Sequence, residues 1–131
     1  MKYVYSFLAA AVVMIALDAV WLKFVLGNIF KSQLGEIILS TPRWLPAALF
    51  YLLYAAGIVM LVVIPNAVDS RPDTALYAAV LGLVAYGTYE LSNMATLKPW
   101  AWHLVALDMT WGAFATVLSA LAARAAYLAA Q

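Results

Sequence analysis

Four uninterrupted apolar stretches, each about 20 residues long and so each able to cross a bilayer, take up most of this 131-residue chain. They fall at about 3–25, 44–64, 74–97 and 100–126. In hydrocarbon every backbone N–H and C=O has to find its partner inside the protein, and continuous apolar runs of this length do that only as α-helices. The expected fold is therefore all-α: a polytopic membrane protein with four transmembrane helices in a compact bundle, one domain over 1–131. Composition agrees, at 68% hydrophobic and 10% charged, where a soluble domain has about 45–50% and about 25%.

Punctuation in the chain sets the helix ends. Thr41-Pro42 predicts a capped start for the second span and Pro65 its end. Pro72-Asp73 predicts the start of the third, with Asp73 or Thr74 as cap. Only Lys98-Pro99 separates the last two, which must form a tight antiparallel hairpin. In the connection 26–43, Phe30, Leu34, Ile37 and Ile38 repeat at helical spacing, while Lys31, Ser32, Gln33 and Glu36 take the other face. That pattern fits a short helix lying in the membrane interface; an ordinary capped loop fits equally. The first stretch is too long for a secretory leader, carries Asp18 and is followed by no small-residue cleavage site, so it is expected to be retained.

Several function classes drop out. A net charge of +1 gives nucleic acid no reason to bind. The absence of cysteine excludes disulfides, thiolate metal sites and thiol nucleophiles. His103 is the only histidine and reads as a polar anchor near an interface, so neither a transition metal nor a cofactor is expected. Lys23, Lys31, Arg43 and Lys98 on one side balance Lys2, Arg71 and Arg124 on the other, which leaves the orientation unassigned.

Against this background Asp18, Glu90 and Asp108 stand out, because an ionisable group inside an apolar span is costly and marks a function or a buried polar lock. Counting along the helices puts all three at a common depth, roughly 10–12 Å below the interface that carries the 26–43 connection. Asp18 has Met14, Ile15, Trp21 and Leu22 on its own face, and Asp108 has Leu104, Val105, Trp111 and Gly112; neither has a cation. Glu90 has Tyr86 and Asn93 within one turn. Compensation must come from another helix, a proton or a ligand. The candidate pocket comprises Asp18, Trp21, Tyr51, Tyr54, Tyr86, Tyr89, Glu90, Asn93, Asp108 and Trp111. Trp44, Trp100 and Trp102 read as the interfacial aromatic belt. Asp18-Ala-Val-Trp21 and Asp108-Met-Thr-Trp111 share a D-x-x-W pattern, read as local similarity rather than a duplication.

Two readings of the acid layer remain. One is a pocket that holds a lipid head group, a cation or a small ligand with apolar and polar parts. The other is a network in which acids bridge helices through Tyr, Trp, Asn and Thr. Catalysis on a lipid, with the acids as general acid and base, is a further alternative, although no nucleophile constellation, phosphate loop or redox motif is present. Transport of a small solute or proton would need an oligomer, for which Gly82, Gly87, Gly112 and the alanine-rich fourth helix offer close-packing surfaces. Membrane lipids are the expected partners, with self-association or membership of a larger membrane complex left open.

The quoted motifs also carry a resemblance. Asp18-x-x-Trp21-Leu22, Phe50-Tyr51-x-x-Tyr54, the run from Tyr86 through Glu90, Ser92, Asn93 and Ala95 to Thr96, Trp100, and Asp108-x-x-Trp111-Gly112 resemble the signature of a small bacterial family of predicted membrane proteins, domain of unknown function twenty-one seventy-seven. The similarity covers essentially the whole chain, with Glu90 standing where the pattern more usually has Asp. It implies a four-helix protein of the bacterial inner membrane, associated with lipid remodelling and stress responses, and it brings no reaction and no catalytic residues.

Overall fold

The computed structural model describes residues 1–67 and 70–131, and the described residues contain helices and no strands. Helix α1 (Lys2–Trp21) runs without a break through a π turn, Leu22–Leu26, into α2 (Gly27–Leu34) and a 3-10 turn, Gly35–Ile37. Helix α3 (Trp44–Ile58) passes through a second π turn, Val59–Val63, into the short α4 (Ile64–Asn66). Helices α5 (Arg71–Thr96) and α6 (Trp102–Ala129) complete the chain. Three helical stretches are both long and apolar enough to cross a membrane: Lys2–Ile37, Trp44–Asn66 and Trp102–Ala129. At 26 residues α5 has the length, but its polar run from Tyr86 to Thr96 leaves it less apolar than the others.

Helix α6 is the centre of the bundle, with α5 and α1 packed antiparallel along it. Glycine makes the α5–α6 approach possible. A Cβ at Gly82 would meet the Gly112 carbonyl and the Ala113 backbone, and one at Gly112 would run into the Tyr86 ring. Gly82 and Gly112 are therefore spent on packing α5 against α6 within the chain. Ser6 Oγ donates to the Ala123 carbonyl at 2.9 Å, tying α1 to α6 at the end that carries the termini. Around it Ala10, Ala11, Ala55, Ile58, Val62, Val63, Ala78, Ala120 and Ala123 form a core of small and branched side chains.

The expected boundaries shift in three places. The segment anticipated as a separate interfacial helix is instead a continuation of α1, and Leu26, Ile29, Phe30 and Leu34 pack against Trp100, Leu104 and Val105 rather than lying free. The wide π turn has no mark in the hydropathy pattern, and Gly27 suits it because a Cβ there would strike the Leu22 carbonyl. The stretch ends at Gly35, whose φ of 41° is open chiefly to glycine. Helix α3 starts at Trp44 with Arg43 as a cap lacking a side-chain bond, so Thr41 is not the cap. Ser70, rather than Asp73 or Thr74, caps α5: its Oγ accepts from the Asp73 N–H at 3.2 Å and donates to the Asp73 carboxylate at 2.6 Å. The α5–α6 hairpin closes as tightly as Lys98-Pro99 requires.

Candidate functional site

The two D-x-x-W motifs answer each other. Because α1 and α6 are antiparallel, Asp18 lies level with Trp111, and Trp21 lies level with Asp108. Trp111 Nε1 donates to Asp18 Oδ1 at 3.2 Å, and Trp21 Nε1 donates to Asp108 Oδ1 at 3.2 Å. Between the two bonds the indoles stack, with centroids 4.5 Å apart and planes 2° from parallel. An acid and an indole three residues apart, on antiparallel helices, are self-complementary about a local two-fold axis. The shared motif is thus one clamp made twice.

Each acid takes further partners. Tyr51 on α3 donates to Asp18 Oδ2 at 2.7 Å, which joins a third helix to the clamp. Glu90 is fully buried, at 0% exposure, and its Oε2 accepts from Trp100 Nε1 at 2.7 Å. Glu90 also lies beside Asp108, and its Oε1 is buried without a hydrogen-bond partner among the described residues. Trp100 corrects the sequence reading: it is 7% exposed and serves an acid, whereas Trp44 at 70% and Trp102 at 68% face outward as belt residues do. His103 meets Gln33 at 2.6 Å on the surface, away from the acids.

Each of the three acids meets an indole donor, and Glu90 lies beside Asp108 with its Oε1 open. Among the described residues no three His, Asp or Glu side chains converge as a metal site would require.

Beside the clamp lies a cavity of about 410 Å³. Asp18, Trp21, Leu22, Leu26 and Phe30 form one wall, Phe50, Tyr51 and Tyr54 the second, and Ala85, Tyr86 and Tyr89 the third, with Asp108 on α6 behind. Helix α5 packs on the π turn Val59–Val63 rather than along α3, so the two helices diverge toward the start of α3 and leave the gap. The cavity surface is overwhelmingly apolar, because the carboxylates are covered by their indole and phenol donors.

Seven of the expected pocket residues line this cavity: Asp18, Trp21, Tyr51, Tyr54, Tyr86, Tyr89 and Asp108. Trp111 holds Asp18 from behind, Glu90 is sealed against Trp100, and Asn93 lies near Tyr89 outside the lining. Residue counting missed Leu22, Leu26, Phe30, Phe50 and Ala85, which carry no polar signal. Tyr54 bonds Thr116 at 2.6 Å, and Thr116 in turn donates to the Gly112 carbonyl, so the tyrosine is the donor of that pair. The Tyr86 hydroxyl is different: it is buried and has no partner among the described residues.

No curated protein and no solved structure matches the chain. A family model does, over residues 3–125, and it is described as a predicted membrane protein, DUF2177. The match spans every helix that builds the clamp and the cavity, and the chain belongs to this family of predicted membrane proteins.

Proposed function

We propose that the protein is a membrane-embedded binding protein that takes an elongated apolar molecule with a polar, hydrogen-bonding end. The observation that carries this reading is the unpartnered Tyr86 hydroxyl beside the 410 Å³ cavity, with Asp18 and Asp108 in the same walls. A buried hydroxyl left without a partner costs about 1–3 kcal/mol, and a ligand's polar end relieves that cost. Apolar walls with a few convergent polar groups are the usual make-up of a small-molecule site, and the volume lies within the usual range of about 300–1,000 Å³.

The reading has α5 as a fourth span, since it runs alongside α6 and must cross whatever layer α6 crosses. The divergence of α3 and α5 then opens the cavity sideways toward lipid, with half-exposed Phe50 and Tyr89 at its mouth. A molecule dissolved in the bilayer enters without passing through water. A bacterial inner membrane is the setting that the family resemblance implies.

The test is native mass spectrometry of gently extracted protein beside Ala85→Trp, which fills the cavity without touching the clamp. A discrete non-protein mass on the wild type, lost in a variant of equal thermal stability, is the expected result. Bare protein in both samples would sink the reading and leave the acids as an interhelical lock alone.

A further inference from the structure

The opposite end of the bundle holds a second, smaller cavity of about 230 Å³, lined by Arg71, Leu121, Arg124, Ala125 and Leu128. Arg124 lies 16 residues beyond Asp108, hence about 24 Å further along α6. The cavity therefore has no contact with the acid layer. Its chemistry is also the reverse: two guanidinium groups face a pocket whose other lining side chains are apolar. The Arg124 Nε is buried and has no partner among the described residues. Of the nearby acids in sequence, Asp73 is turned to Ser70, and Asp69 lies outside the described residues. Lys2 stands at the same end, over the Tyr127 ring at 4.9 Å.

We infer that this cavity binds the phosphate of an anionic lipid. Guanidinium groups bind phosphate oxygens in pairs through parallel N–H donors, and a buried Nε–H without a partner is one such donor. Free phosphate would share that chemistry. The lining and its depth decide for the lipid: Leu121, Ala125 and Leu128 are spaced at three and four residues, so they form one apolar stripe on α6 that passes Arg124, with Leu121 a turn toward the middle of the helix and Ala125 and Leu128 toward its end. A head group at Arg71 and Arg124 would send its acyl chains past Leu121 toward the middle of α6. The position suits it too, since Trp102 to Arg124 spans about 33 Å, close to the thickness of a hydrocarbon core.

The experiment titrates detergent-purified full-length protein with phosphatidylglycerol and with phosphatidylcholine of the same chains, and counts bound lipid by native mass spectrometry. Wild type is expected to prefer phosphatidylglycerol by roughly tenfold or more, as two arginines near an anionic head group imply. Arg71→Gln with Arg124→Gln should remove that preference. Lys98→Gln, which removes one charge at the far end, should leave it intact, and a large excess of inorganic phosphate should displace little lipid. Equal binding of the two lipids, or an unchanged preference in the double variant, overturns the inference. Displacement by phosphate alone also overturns it, because the site would then read the anion and not the lipid. Should the double variant fail to fold, the single Arg124→Gln and the phosphate competition on wild type decide the matter.

Discussion

The two ends of this bundle are held together in different ways. At the end with the termini, α1, α3 and α6 meet through alanine, valine and isoleucine, with Ser6 and Ser119 making short bonds across or along the helices. At the other end four helices meet through Asp18, Asp108, Glu90, three tryptophans and Tyr51, and they leave a cavity. Lipid tails are as apolar as leucine, so burying apolar surface does not drive helices together in a bilayer. Close contact of small side chains then suffices where the helices can touch. Where α3 and α5 diverge they cannot touch, and directional bonds have to hold the shape. The difference teaches that the acids serve two purposes: they lock α1, α3 and α6, and they border the space that the lock keeps open.

The strongest challenge to this contrast is to spoil the close contact itself. Gly82→Val should push α5 off the Gly112 backbone and lower stability by about 3 kcal/mol, at the upper end for overpacking, measured as thermal unfolding in detergent. Next comes the lock. Glu90→Leu strands the Trp100 N–H and should cost about 1–3 kcal/mol, whereas Glu90→Gln, which offers Trp100 an acceptor and Asp108 a donor, should cost markedly less by the same assay. If both cost the same, Glu90 is there for its charge.

A double-mutant cycle sharpens the point further. Asp18→Ala with Trp111→Phe, and Asp108→Ala with Trp21→Phe, should each show coupling of about 0.6–1.7 kcal/mol, from the average to the maximum for interhelical bonds in membranes. The crossed pairs, Asp18 with Trp21 and Asp108 with Trp111, share a helix and not a bond, so their coupling should be smaller. Smallest of all is the outward belt: Trp102→Phe should stay within about 0.5 kcal/mol of wild type, in contrast to Trp100→Phe, two residues away and buried.

Much of this was readable beforehand, and the misses have physical causes. Residue counting placed Asp18, Glu90 and Asp108 in one layer because helical rise is fixed. The D-x-x-W repeat was visible, but its meaning required knowing that α1 and α6 are neighbours, which no local pattern encodes. Hydropathy cannot tell an inward indole from an outward one, so in the sequence Trp100 reads like Trp102. Small-residue spacing reveals that backbones approach, and not whose: Gly82 and Gly112 belong to one chain's own hairpin. The π turn at Leu22–Leu26 widens a helix without changing its composition, so the sequence alone predicts that the first span stops near residue 25.

The central claim is that the open end of the bundle selects a molecule, while the outer face of α5 only meets bulk lipid. Its most direct test is photo-crosslinking in growing cells, with a benzophenone amino acid at Phe50 in the cavity mouth and, separately, at Leu76 on the outer face of α5. The account predicts a discrete adduct at position 50 that is absent or minor at position 76. The same spread of bulk membrane lipids at both positions would contradict it.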